Sequence, residues 1–318
     1  MFELFAQSGT AGAAGFWQYL LLGLVIGSLY ALIALGYTMV YGIIELINFA
    51  HGDLFMLGSL LALQLAGWAG VTVAAASGTG PIALTVLLML VVTPVWCAAV
   101  NVGIDRAFYR PLRNSPKLTV IVTAIGVSFI FMNIGLFWKG ATPVKFPDLI
   151  SDTNLVPDSG LRFTWKDAMV IGVTVPVMVA LTVFVRYTSL GKAMRATAQN
   201  PAAAQLMGIN ADRVISATFA IGGALAGVAS VVYGLYIKSV DYQMGFQNGL
   251  YAFTAAVLGG IGNIPGAVLG GLVIGVVGEL GKEYLGVKWS EALIFGILIV
   301  ILLFRPTGLL GARTREKV

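Results

Sequence analysis

Predominantly apolar runs of about twenty residues recur along this chain, and that length is what a hydrocarbon layer about 30 Å thick demands of a helix that crosses it. They fall at 17–42, 44–66, 81–104, 118–138, 167–186, 214–236, 249–281 and 289–305. Inside lipid the backbone has to satisfy its own hydrogen bonds, which leaves only helices and closed barrels. The apolar residues here are continuous and do not alternate with polar ones, so a barrel is excluded. Of the 318 residues, 58% are apolar and 10% charged, against about 25% charged in a water-soluble domain. The sequence therefore predicts an all-α polytopic membrane protein, a single transmembrane domain over 1–318.

Forty glycines would weaken soluble helices, but in lipid small residues let helix backbones approach closely. The steps Gly223 to Gly227, Gly262 to Gly266 to Gly270, and Gly271 to Gly275 read as packing faces. The run 249–281 would measure about 50 Å as one helix, too long for one crossing. Gly259, Gly260, Gly262, Pro265 and Gly266 mark its break into a short segment, a turn and a second segment. That gives about eight to nine membrane segments, including a broken or re-entrant pair. Most of the 19 Lys and Arg lie in or beside the basic loops 105–117 and 187–213 and the C-terminal tail, which the positive-inside rule puts in the cytoplasm. The stretch 139–166 is then an exposed external loop, and the N-terminus is external. No Lys or Arg precedes Arg106, so the first run reads as a retained span rather than a cleavable signal peptide. The net charge of +5 reflects this topology, and no nucleic-acid partner is expected.

A self-powered ATPase would need Gly, four spacers, then Gly-Lys-Ser/Thr. Gly281-Lys282 is followed by Glu283, and Gly275 stands one position too far ahead, so ATP and Mg are not expected in this chain. His51 has no second His or Cys near it, so no metal is expected. The lone Cys97 lies in an apolar run and reads as packing. No nucleophile and base pair or paired-carboxylate site stands out, and a catalytic role is not expected. An ion-driven carrier buries several ionisable relays. Here the candidates are confined to Glu45, His51 and Asp53, which with Asn48 cluster at the head of the second run. Polar groups in lipid are costly unless they face protein or water. This cluster is therefore expected on a translocation path, or as polar groups bonded between helices.

The stretch from Gly191 to Ile209 is polar and basic where nearly everything around it is apolar. Asn200-Pro201 suits a helix start and Gly208 a stop, so a short helix over 201–207 is expected. Its small Ala202, Ala203 and Ala204 suit a groove on another protein, with Gly191, Arg195, Gln199 and Asn200 completing the handle. Arg110-Pro-Leu-Arg113 reads as a topology determinant with turn chemistry, or as a second contact with the same partner.

The handle resembles the Glu-Ala-Ala, three spacers, Gly loop by which bacterial ABC importer permeases lie on their ATPase, with Ala202 where that loop has Glu. Ile47-Asn-Phe-Ala-His-Gly-Asp53, Tyr109-Arg-Pro-Leu-Arg113, Leu258-Gly-Gly-Ile-Gly-Asn-Ile-Pro-Gly266 and Leu303-Phe-Arg-Pro-Thr-Gly-Leu-Leu-Gly311 resemble the permease of branched-chain amino acid importers, the LivH type. These blocks span almost the whole chain. The resemblance implies the ABC importer permease fold and transport of branched-chain or other hydrophobic amino acids. It also implies a second permease of the LivM type, two ATP-binding subunits, a periplasmic amino-acid-binding protein, and a place in the bacterial cytoplasmic membrane. Import of urea, short amides or other small amino acids, or a self-contained ion-coupled carrier, are the alternatives.

Overall fold

The computed structural model describes residues 13–44, 48–69, 79–113, 115–157, 160–305 and 307–311. Helix α1 is Ala13–Ile44, α2 Ala50–Trp68, α3 Thr79–Ile104, α4 Lys117–Lys139, α5 Trp165–Tyr187, α6 Ser189–Gln199, α7 Pro201–Leu206, α8 Ala211–Ile237, α9 Met244–Gly259, α10 Ile264–Tyr284 and α11 Val287–Phe304. Among the described residues, seven of these are long and apolar enough to cross a membrane. Two further helices, α2 and α9, pack among them. The chain is a multi-pass membrane protein.

Helix α2 is the centre of the bundle, with fourteen of its nineteen residues buried among α3, α4, α8 and α9. Around it, α1 lies along α10 and α3 along α8, and both seams are made of small residues. A Cβ added at Gly27 would sit 2.8 Å from Leu272 Cα, and one at Gly271 would sit 2.6 Å from Ala31 Cα. Gly223 and Gly227 meet the α3 backbone near Cys97 and Pro94 in the same way. On its other face α10 presents Gly266 and Gly270 to the backbone of α9. The glycine steps are thus contact faces, and contact at backbone distance replaces the hydrophobic drive that helices lack in lipid.

The run 249–281 divides at Gly260–Asn263. Gly260 and Gly262 have φ of 105° and 87°, a region that side chains avoid, and Asn263 caps α10 by accepting from Gly266 N. The expected broken pair is present as a short α9, a turn and α10, and of the two α10 is the one long and apolar enough to cross. Its partner α9 begins earlier than the hydropathy suggested, at Met244, since Gln247 and Asn248 are helical and face protein groups. The basic segment 105–117 is also not a plain loop. Helix α3 runs on through one π turn, Asp105–Tyr109, and a 3-10 turn, Arg110–Leu112. Its polar groups find partners in the protein. Asp105 accepts from Arg113 at 2.6 Å and from Ser216 at 2.5 Å, and Tyr109 donates to Asn48 at 2.7 Å.

The two ends of the bundle are distinct. At one, called here the loop end, the two-residue strand β1 (Val144–Lys145) pairs antiparallel with β2 (Ser239–Val240), and Phe146 is buried against Gly234. Asp148 and Asp152 there bridge Lys166 and Lys238 at 2.5–2.8 Å. Partial burial acts to raise both carboxyls, and the hydrogen bonds from Lys166 and Lys238 outweigh it, holding them below the usual carboxylate range. At the other, the handle end, lie α6, α7, the 260–263 break and residues 307–311, where Leu310 N donates to Gly259 O.

Candidate functional site

A cavity of about 310 Å³ opens at the loop end between α1, α8, α9, α10 and α11. Ile26, Leu29 and Ile294 form apolar wall, while Asn248, Glu279, Lys282 and Glu291 bring polar groups. Glu291 accepts from Tyr251 at 2.9 Å and Gln247 at 3.4 Å, and Lys282 donates to Glu279 at 2.5 Å. None of these residues was singled out from the sequence. They come from four helices, α1 and the consecutive α9, α10 and α11, so no local pattern marks them.

The cavity ends on a belt of rings. Tyr30 meets Tyr251 at 5.4 Å between centroids, Tyr37 meets Phe253 at 6.2 Å, and Phe49 meets Phe253 at 6.1 Å. Beyond the belt, toward the handle end, a separate small cavity of about 10 Å³ lies between Tyr37, Tyr41, Asn48, Phe253, Ala256 and Ile261. Helix α9 carries both halves of the belt, because Tyr251 and Phe253 reach different layers.

Of the sequence-expected cluster, Glu45 lies outside the described residues. Asn48 accepts from Tyr109 and faces Asn101, whose amide donates to Phe219 O at 2.7 Å. His51 and Asp53 are each 1% exposed on α2. The His51 ring stands edge-on to Tyr37 at 4.7 Å. Neither of its nitrogens has a hydrogen-bond partner among the described residues; the Ile33 carbonyl is in range without bonding geometry. Asp53 Oδ2 accepts from Ser128 on α4, and Oδ1 has no partner. A buried polar atom left unsatisfied costs about 1–3 kcal/mol, and no described residue supplies a partner to His51 Nδ1, His51 Nε2 or Asp53 Oδ1 at the head of α2. The confinement of buried ionisable groups to this cluster is corrected, since Asp105, Lys166, Asp167 and Glu279 are buried too. Each of these has a partner: Lys166 pairs with Asp148 and Asp152, and Asp167 closes the capping box of Thr164.

The handle is two helices. Helix α6 was missed because its polar composition resembles a loop, yet Thr188 caps it and it buries Gly191, Met194 and Thr197 on one face. Arg195 donates to the Val185 and Arg186 carbonyls that end α5, a cation on the negative pole of that helix. Gln199 is exposed at the end of α6. Asn200 then caps α7, accepting from Ala203 N at 3.0 Å. Gly208, at φ 82°, ends it in a Schellman turn, with Gly208 N to Gln205 O and Ile209 N to Ala204 O, both 3.0 Å. Ala202 and Ala203 are exposed. Ala204 is buried toward the body of the protein and does not belong with them as a docking residue. The tip instead presents Leu206 and Met207, 90% and 83% exposed. A small cavity of about 70 Å³ joins α6 to the 260–263 break, lined by Gly42, Met194, Arg195 and Gly262 among others.

Residues 19–303 match the family model described as branched-chain amino acid transport system, permease component. The chain is 42% identical over 306 residues to the high-affinity branched-chain amino acid transport system permease protein LivH of Escherichia coli (strain K12), covering 95% of this chain and 98% of that one. It is 41% identical to the corresponding protein BraD of Pseudomonas aeruginosa, over 95% and 97%. A probable LivH of Methanocaldococcus jannaschii is 27% identical, over 91% and 90%. No solved structure matches. A bundle with an amphiphilic cavity at one end and an exposed two-helix handle at the other is thus carried on a sequence that matches along nearly its full length. The chain belongs to the family of branched-chain amino acid transport system permease components.

Proposed function

We propose that this permease forms one half of the passage of an ABC importer in a bacterial cytoplasmic membrane, taking branched-chain or similar apolar amino acids inward. The loop end faces outside and the handle end faces the cytoplasm, as the positive-inside rule favours. The observation that supports the reading is the asymmetry of the interior among the described residues, a cavity of about 310 Å³ on one side of the aromatic belt against cavities of about 10 and 70 Å³ on the other. This asymmetry supports reading the structure as an outward-facing state. The outer cavity lies at the small end of the range for small-molecule sites, and its lining suits an apolar zwitterion. Glu279 and Glu291 attract an ammonium, Lys282 a carboxylate, and Ile26, Leu29 and Ile294 accept an aliphatic side chain.

ATP and Mg belong to two partner ATPase chains, which seat the exposed α7 tip. Movement there passes through α6 to the ends of α1 and α10 at Gly42 and Gly262, and α9 shifts to part the belt. A second permease of the LivM type and a periplasmic amino-acid-binding protein complete the machine. Proteoliposomes containing all subunits should take up leucine only with binding protein outside and ATP within. This chain alone, under a proton or sodium gradient, should take up none. Uptake by the lone chain would make it a carrier and overturn the reading.

A further inference from the structure

We propose that the groove between the end of α3 and the start of α8 is a binding site for the phosphate headgroup of an anionic phospholipid. The groove encloses about 570 Å³, and its lining is graded along its length. Val102, Ala217 and Ala220 line its inner part. Arg106, Arg110 and Arg213 line the part toward the handle end. Ala220 lies nine residues into α8, about 14 Å at the helical rise, so the apolar part is at bilayer depth and the arginines are at its surface. A soluble protein partner meets the arginines but has no means of filling the part within lipid. A phospholipid fills both.

Charge decides the headgroup. Asp212 engages Arg110 at 2.8 Å and also Arg113, and Asp105 takes the other side of Arg113. Arg106 and Arg213 have no acidic partner among the described residues, though both line the groove. Two guanidiniums without an acidic partner among the described residues, at the mouth of a partly apolar cleft between membrane helices, suit a phosphate diester, which they bind through paired N–H donors. Basic pockets between membrane helices on the cytoplasmic side hold anionic headgroups by this chemistry.

The test is native mass spectrometry of the assembled transporter titrated with phosphatidylglycerol or phosphatidylcholine, for wild type, Arg106→Gln/Arg213→Gln and, as control, Arg162→Gln on the loop end. Wild type and control should retain phosphatidylglycerol over phosphatidylcholine. The double variant should bind it about 25-fold more weakly, a factor of about five for each basic residue lost at a lipid surface, with an unchanged melting temperature. Equal retention by wild type and the double variant would overturn the proposal. Displacement of the lipid by inorganic phosphate would also overturn it, by making this a free-anion site. So would loss of ATPase subunits from the double variant with lipid retention intact, which would make the groove a protein contact.

Discussion

At the loop end a cavity of about 310 Å³ is bounded by paired groups, Glu291 with Tyr251 between α11 and α9 and Lys282 with Glu279 along α10, whereas toward the handle end, among the described residues, the cavities beneath the ring belt and beside α6 hold about 10 and 70 Å³. The outer end is also fastened from above, by Asp148 and Asp152 shared between Lys166 and Lys238. The inner end is joined to the bundle through glycine turns at Gly208, Gly260 and Gly262. Buried polar atoms of His51 and Asp53 with no partner among the described residues lie close to the belt that divides the two. The contrast teaches where movement is built in. The loop end is braced and holds the larger cavity, while the handle end carries the glycine turns, with the polar groups that lack a partner among the described residues at the boundary between them.

The largest effect is expected where both ends depend on the same seam. Gly271→Leu puts a side chain where even a Cβ lies 2.6 Å from Ala31 Cα. It should abolish folded, membrane-inserted protein, whereas Gly296→Leu, in open space on α11, should leave expression and uptake as in wild type. Equal tolerance of the two would break the account of α1 against α10.

Next comes the handle. Gly208→Glu forces a side chain into a left-handed position and places charge beside the exposed tip, so uptake and ATPase stimulation should both fall to background while insertion is normal. Asn200→Ala, which removes only the cap, should cost α7 about 1 kcal/mol and reduce uptake partially. ATPase assays on the assembled complex distinguish them, and full stimulation in Gly208→Glu would detach α7 from coupling.

At the boundary, His51→Leu replaces a buried ring whose nitrogens are unpartnered. Melting should rise or hold, with a gain of up to about 1 kcal/mol, while leucine uptake falls several-fold. A drop in stability with full residual uptake per folded molecule would make His51 a packing residue only.

The smallest effect concerns the outer brace. Asp148 and Asp152 have lowered carboxyl pKa values, so their contribution is present above about pH 4, the unfolded carboxylate value, and is lost as pH falls through their folded values. Both are well exposed, so solvent screens the gain. Thermal melting should show a small loss on acidification from pH 5 to pH 3 that shrinks in Asp148→Asn/Asp152→Asn. An unchanged acid dependence in the double variant would remove the brace.

Much of the frame was legible in the sequence, for reasons that are local. Apolar length marked the spans, Gly259 to Gly266 marked the break, and Asn200 with Gly208 marked both ends of α7. What was not legible depends on partners distant in sequence. Asp105 and Tyr109 look like loop residues until Arg113, Ser216 and Asn48 satisfy them. Gln247 and Asn248 look like the outside of a membrane until α9 turns them toward Glu291 and Tyr233. The cavity and the belt draw on Tyr30, Tyr251, Glu279 and Glu291 together, and no spacing within the chain joins those four. Ala204 looked like its neighbours until one turn of helix directed it inward.

The central claim is that the outer cavity and the closed inner space exchange accessibility during transport, and cysteine reactivity measures this directly. In a Cys97→Ala background, single Gln247→Cys and Ala256→Cys variants of the assembled transporter are treated with a hydrophilic thiol reagent from each side, at rest and during ATP turnover. At rest the thiol at 247 should react from outside and that at 256 from neither side. During turnover, 247 should become protected and 256 should react from the cytoplasmic side. Reactivity at 256 in the resting protein, or no change at either position when ATP is supplied, would contradict the account.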